Sequence, residues 1–79
     1  MNTENLIQKL NELYGEGSGM KVYMTIMPGI LSDFQKMLAS SPIRETVTEE
    51  YRLEDGKGII ALTGKRDASG NVSIDAELR

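Results

Sequence analysis

The sequence predicts an α+β fold, a two-layer sandwich in which two helices cover one face of a four-stranded mixed sheet. Two segments repeat apolar residues at helical spacing, and an Asp-Gly pair marks a hairpin between two further apolar segments. A second glycine-containing turn near residue 70 leads into a last strand, so the C-terminal half should be an antiparallel meander. The predicted order is α-β-α-β-β-β in a single domain, residues 1–79, because this length leaves little room for a second core.

The first element is an amphipathic helix over residues 3–14, followed by a glycine-rich connector over residues 15–19. The apolar stripe of the helix consists of Leu6, Ile7, Leu10, Leu13 and Tyr14. Asn2 or Thr3 can cap its N-terminus. The connector follows a helix rather than a strand, so it lacks the order that a phosphate-binding loop requires. Its composition is also that of an engineered join in which Met20 is a former start residue.

The next two elements are predicted as a strand over residues 20–27 and a helix over residues 29–40. The strand prediction depends on alternation, since Met20, Val22, Met24 and Ile26 alternate with Lys21, Tyr23, Thr25 and Met27. Pro28-Gly29 is expected to end this strand. Helical spacing then resumes after Gly29 and stops before Pro42, where the chain becomes extended again.

The C-terminal half is predicted to form strands over residues 43–54, 57–66 and 71–78. A two-residue type I′ turn at Asp55-Gly56 sets Tyr51 opposite Ile60. The next turn is predicted to have three residues and to end at a left-handed Gly70, because a two-residue turn would place acidic side chains on the apolar face. The resulting partners are Leu62 with Ala76 and Ile60 with Leu78. One face of the meander then carries Val47, Tyr51, Leu53, Ile60, Leu62, Val72, Ile74, Ala76 and Leu78.

The composition argues against several classes of protein. The chain has no cysteine and no histidine, which removes disulfides and the two commonest zinc ligands. Its net charge is −3 and its isoelectric point is near 4.8, whereas nucleic-acid-binding domains are typically basic. Its apolar runs are far shorter than the ~20 residues of a membrane span, and its first residues lack the pattern of a secretory signal. We therefore expect a cytoplasmic protein without membrane, metal or cofactor binding, and we disfavour nucleic acid as its partner.

No motif for nucleophilic or acid–base catalysis is present, so we expect no enzyme and assign no catalytic residue. The strongest candidate is Glu49, which the register places on the apolar face with Glu45 on the same side. Solvation at the end of a long, twisted strand is the simpler explanation for both. Asp67 begins a segment that only partly resembles a calcium-binding loop, because the positions that need glycine and glutamate hold Val72 and Leu78. An Asx-capped turn is the better prediction.

The sequence is most consistent with a small non-enzymatic protein-interaction module, such as an adaptor, an inhibitor or a regulatory subunit, whose partner is another protein. The candidate surface is the polar face of the predicted meander, which we call the open face. It consists of Thr48, Glu50, Arg52, Ile59, Ala61, Thr63, Asp75 and Glu77. Its composition is equally typical of an ordinary solvated sheet face. Self-association into a homodimer is also expected, because a domain of this size has a modest core and neither disulfide nor zinc site to support it.

Besides a ligand-binding or weakly catalytic pocket around Glu49 and Tyr51, two further interpretations stay open at this point. The first is a nucleic-acid-binding domain that uses the basic residues around the hairpin tips, namely Arg52, Lys57, Lys65 and Arg66. The second is an engineered or designed scaffold without natural activity, suggested by the glycine-rich connector before Met20. The strand over residues 71–78 can in addition pair with another chain if it lies at the edge of the sheet.

Overall fold

The computed structural model describes residues 2–79 and has an α+β architecture with two helices and a three-stranded antiparallel sheet. The elements are α1 (Thr3–Tyr14), α2 (Gly19–Ala39), β1 (Val47–Arg52), β2 (Ile59–Arg66) and β3 (Val72–Leu78). The strands lie in the order β1-β2-β3. Both helices pack on one face of the sheet, with α1 against β3 and α2 against β1 and β2.

The predicted strand over residues 20–27 is wrong, and the described residues form three strands rather than a four-stranded mixed sheet. These residues belong to α2, which continues through the helix predicted over residues 29–40. Their alternation fits a strand, but the same residues also carry a helical period. Apolar pairs recur every four residues: Val22 with Tyr23, Ile26 with Met27, and Ile30 with Leu31. The helix forms because this stripe continues in phase into the second half of α2 and covers the sheet.

Pro28 and Gly29 lie inside α2 without ending it. Both residues are exposed. Proline has no N–H to donate, so the carbonyl of Met24, one turn earlier, loses its helical partner. Met27 and Phe34 are fully buried on either side of this break. Their burial favours a continuous helix over the end that a Pro-Gly pair usually signals.

The two helices form a hairpin and are in close contact at Gly19. A side chain at this position would overlap the carbonyl oxygen of Ile7 and the side-chain amide of Asn11. The Gly19 N–H donates to Oδ1 of Asn11 at 2.6 Å, so a side chain from α1 caps the start of α2. Ser18, which directly precedes α2, makes no such bond. The bounds of α1 are those predicted, and Oδ1 of Asn2 accepts the cap hydrogen bond at its N-terminus.

The meander has the predicted register. Tyr51 lies opposite Ile60, and Leu62 lies opposite Ala76. The strands are shorter than the predicted ranges 43–54, 57–66 and 71–78, mainly at the start of β1. There Arg44 has a positive φ of 69°, and its N–H donates to the carbonyl of Arg66 at 2.7 Å.

The first hairpin turn differs from the predicted type I′ turn. Gly56 has a positive φ of 73°, but Asp55 does not, as a type I′ turn would require. The Gly56 N–H donates to the Leu53 carbonyl at 2.9 Å, and the Leu53 N–H donates to the Gly58 carbonyl at 2.9 Å. The loop is therefore longer than two residues. It has the same number of additional residues on each side of Asp55-Gly56, so the strand partners are unchanged.

The second hairpin turn has the predicted three-residue form. Gly70 has a positive φ of 86°, and the Asp67 N–H donates to the Asn71 carbonyl at 2.9 Å. Oδ1 of Asp67 accepts from the N–H groups of Ser69 and Asn71, each at 2.9 Å. Asp67 thus caps the turn, as an Asx turn predicts.

The hydrophobic core lies between the helices and the sheet. Its fully buried side chains are Leu6, Leu10, Met27, Phe34, Leu38, Ile60 and Leu62. The Phe34 ring lies against the central strand at Gly64, where an added Cβ would come within 2.9 Å of the ring. A glycine in β2 therefore makes room for the largest core side chain. Val72, which was predicted on the apolar face, lies at the rim of the core and is 47% exposed.

Candidate functional site

The open face lies opposite the helices, and the structure brings its eight predicted residues together. They occupy three rows across the sheet: Thr48, Thr63 and Asp75; Glu50, Ala61 and Glu77; Arg52 and Ile59. Their neighbours along the strands, such as Ile60 and Leu62, are fully buried beneath the helices. The placement of the eight residues follows from the register, while their role in binding stays a prediction.

Arg79 spans the open face and was missed in the sequence. Its Nη1 lies 3.0 Å from Oε2 of Glu50, and its Nε lies 3.0 Å from Oε1 of Glu77. Ala61 lies between these two carboxylates on β2 and is only 3% exposed. The hydrogen bond and charge of Glu77, and then those of Glu50, raise the pKa of Arg79. Extending the predicted register by one residue, to Arg79 opposite Ile59, would have indicated this contact.

The remainder of the open face combines polar and apolar groups. The hydroxyls of Thr48 and Thr63 lie 3.4 Å apart, and Ile59 is half-buried. Arg52 is exposed and forms no ion pair within residues 2–79. Carboxylates and basic groups are interspersed with the apolar side chains of Ala61 and Ile59, so charges of both signs are present on this face.

Both outer strands leave a row of backbone groups without a sheet partner within the described part of the chain. Because Leu53 bonds across to Gly58, the odd-numbered residues of β1 bond to β2. The N–H and C=O groups of Thr48, Glu50 and Arg52 therefore point away from the sheet. The strand predicted over residues 71–78 also lies at an edge, as β3. Either edge has the backbone groups needed to pair with another strand.

A groove of about 1100 Å³ runs between α2 and β1. Val22, Ile26 and Ile30 line it from the helix, and residues 50–55 line it from the sheet. Tyr51 also lines it, and its hydroxyl donates to Oδ2 of Asp33 on α2 at 2.7 Å. Burial raises the pKa of the Tyr51 hydroxyl, and the bond to Asp33 raises it further. The sequence pattern could not indicate this groove, because residues 20–27 were predicted to be a strand.

The first hairpin tip contacts the end of α1 at one end of the groove. Nζ of Lys57 lies 5.6 Å from the centre of the Tyr14 ring, within the range of a cation–π interaction. The Lys57 N–H donates to Oδ1 of Asp55 at 3.0 Å. This backbone bond, followed by the Tyr14 hydroxyl, lowers the pKa of Asp55. Burial, followed by Asp55, raises the pKa of Tyr14, so the polar groups at the tip engage one another.

The two acidic residues considered in the sequence, Glu49 and Glu45, differ in their surroundings. Glu49 lies opposite Leu62 as predicted and is half-buried, whereas Glu45 precedes β1 and is exposed. Asp67 is occupied in capping its own turn. Within residues 2–79, no three Asp or Glu side chains are grouped closely enough to hold a metal ion.

Comparison with known proteins identifies no relative. No protein-family model matches the chain, and neither a curated protein nor a solved structure shows significant similarity to it. Within the part of the chain that the structure describes, neither helix combines the length and apolarity needed to cross a membrane.

Proposed function

We propose that this chain is a small non-enzymatic protein-interaction module that binds another protein through its open face. The observation that carries the proposal is that both helices cover the same side of the sheet, which leaves the other side uncovered. That side has Ala61 at its centre, Ile59 at one end of the central strand, and charges of both signs beside them. An adaptor, an inhibitor and a regulatory subunit all require a surface of this kind. We also propose a cytoplasmic location for this protein.

The polar groups of the groove support the non-enzymatic part of this proposal. The hydroxyl of Tyr51 is bonded to Asp33, and Asp55 is bonded within its own turn. Raised tyrosine pKa values keep both phenols protonated near neutral pH, so neither is a base there. The chain also lacks histidine and cysteine, the usual base and thiol nucleophile near neutral pH.

The basic side chains favour a protein partner over nucleic acid. Lys57 lies over the Tyr14 ring, and the guanidinium of Arg66 donates to the carbonyl of Ser41. Two of the four basic residues around the hairpin tips are thus engaged within the chain. Arg52 and Lys65 are exposed but do not form a basic stripe that could follow a phosphate backbone.

Affinity capture with a matched pair of variants tests the proposal. The tagged wild type, Ile59→Lys and Gln35→Lys are each used as bait in lysate of the source cells, after thermal melts show that all three are folded. Ile59 lies on the open face, whereas Gln35 is an exposed residue of α2, and both changes add one positive charge. We expect the wild type and Gln35→Lys to retain the same protein and Ile59→Lys to lose it. Equal capture by all three baits, or no capture above the tag alone, would contradict the proposal.

A further inference from the structure

We propose that two copies of this chain pair through β1, antiparallel and with Tyr51 opposite Tyr51 of the second copy, to form a continuous six-stranded sheet. This inference deepens the proposed function, because it names a second copy as one partner and β1 as the surface that binds it. It follows from the backbone groups at the edge, the charges beside them and the groove above them.

The outer edge of β1 has backbone groups that can form hydrogen bonds to another strand. The N–H and C=O groups of Thr48, Glu50 and Arg52 point away from β2. No other strand within residues 2–79 covers this edge. In a pair related by a two-fold axis, these outward residues must lie opposite one another, because only then do both strands exchange hydrogen bonds.

Charge selects one register at this edge. With Tyr51 opposite its own copy, Glu50 lies opposite Arg52 of the second copy, and the symmetry repeats this pair on the other side of the axis. Centring the pair on Glu50 places two glutamates opposite each other, and centring it on Arg52 places Glu50 opposite Glu54. Opposite charges across a pair of strands are stabilising, and like charges are destabilising. Among registers centred on a residue of β1, only the one at Tyr51 brings opposite charges within β1 together.

The side chains needed for this pairing are available. Arg52 is exposed and has no carboxylate partner within the described residues. Glu50 uses Oε2 for Arg79 and keeps its second oxygen for another donor. A carboxylate between two guanidinium groups would join the open faces of the two copies into one surface.

The opposite edge of the sheet lacks this complementarity in registers centred on its middle residues. Centring two copies of β3 on Asp75 places the two aspartates opposite each other. Centring them on Ala76 places Asp75 opposite Glu77, and centring them on Ile74 places Asp75 opposite Ser73. Opposite charges meet only in registers that use Arg79, which lies beyond β3 and is already paired with Glu50 and Glu77, so β3 is the less favourable edge for self-association.

The groove gives a second, independent reason to choose β1. A two-fold axis perpendicular to the sheet at Tyr51 keeps the helices of both copies on the same side. The two grooves of about 1100 Å³ then face each other across the axis. Their apolar lining from α2, which includes Val22, Ile26 and Ile30, would be covered by the second copy. Burial of this surface and backbone pairing would act together.

Charge reversal with sedimentation of the purified protein tests the inference. The wild type should be a dimer, whereas Glu50→Arg and Arg52→Glu should each weaken self-association by about tenfold or more, because each change sets like charges opposite each other at both positions. An equimolar mixture of the two variants should dimerise again, since every pair then joins opposite charges. A folding defect in either variant could not produce this recovery. Asp75→Arg, an equally large charge change on β3, should leave the dimer intact.

Three results would overturn the inference: a monomeric wild type at high micromolar concentration, a mixture of variants that stays monomeric, or loss of the dimer in Asp75→Arg. A monomeric wild type would also be the outcome if β1 pairs with an extended segment of a different protein. None of these results decides the proposed function. That function is tested by a separate experiment, the capture of another protein by the Ile59→Lys and Gln35→Lys variants.

Discussion

Gly19 is a point of close contact between the two helices. Its N–H is bonded to Asn11, and its missing side chain allows the carbonyl of Ile7 to approach. A composition-based view treats residues 15–19 as an interchangeable connector. The contact shows instead that the last glycine of this segment belongs to the packing of α1 on α2.

We expect Gly19→Ala to destabilise the fold and Gly29→Ala to stabilise it. The first substitution places a Cβ against the backbone of α1, and overpacking of this kind costs about 1–3 kcal/mol. The second lies in the same helix with nothing within 4 Å of the added Cβ, so it should gain the ~1 kcal/mol by which alanine exceeds glycine in helix propensity. Urea denaturation of both variants measures the difference in the free energy of unfolding. Equal effects of the two substitutions would show that the close approach at Gly19 is not limiting.

Among the elements, α2 shows how local signals can point to two structures. Its first eight residues satisfy both a period of two and a period near four, and Pro28-Gly29 adds a local reason to divide the segment. The helix is nevertheless continuous because Met27 and Phe34 bury against the same core on both sides of the proline. Tertiary packing therefore overrides a proline that local propensity would place at an end.

We expect Pro28→Ala to stabilise the protein by about 1–2 kcal/mol. Alanine restores a donor for the carbonyl of Met24 and removes a steric conflict that makes proline about 3 kcal/mol less favourable in a helix interior. Greater freedom of the unfolded chain offsets part of this gain. Pro42→Ala is the matched control, because Pro42 is exposed in the loop after α2 and its replacement should lower stability by less than about 1 kcal/mol. A lower urea midpoint for Pro28→Ala would contradict this expectation, because it would mean that Pro28 stabilises the folded state.

For the molecule as a whole, placing both helices on one side of the sheet divides it into a covered face and an open face. The covered face contains all the fully buried side chains, and the open face contains the salt bridges of Arg79. Two of the basic groups around the hairpin tips, Lys57 and Arg66, are engaged within the chain, which makes them less available to phosphates. The net charge of −3 also opposes the attraction of phosphates.

We accordingly expect no measurable binding to a generic DNA duplex at low salt. Fluorescence anisotropy in the concentration range of non-specific binding, about 10⁻⁶–10⁻⁴ M, checks this. The double variant Glu54→Lys/Asp55→Lys provides the comparison, because it removes the acidic groups beside Lys57 and should raise affinity. Wild-type binding that weakens steeply as salt is added would support the nucleic-acid alternative instead.

The meander could be predicted closely because its determinants are local. The position of Gly70 and the alternation of Leu62, Ile74 and Ala76 lie within a few residues of the turn they specify, so only one register keeps the apolar residues on one face. The open face followed from that register. The turn type predicted at Asp55 was wrong, but the predicted strand partners were correct. The observed loop is longer by the same number of residues on each side, so the register is unchanged.

The groove and the edge at β1 could not be predicted, because they depend on what residues 20–27 pack against. An alternating apolar segment carries no information about whether a sheet edge or a neighbouring helix will bury it. In this protein α1, capped onto α2 through Asn11 and Gly19, joins α2 over the sheet, and the outer edge of β1 has no partner strand among residues 2–79. Strand register was thus encoded by neighbours in the chain, whereas the identity of α2 and the surfaces beside it were settled by contacts between residues far apart in sequence.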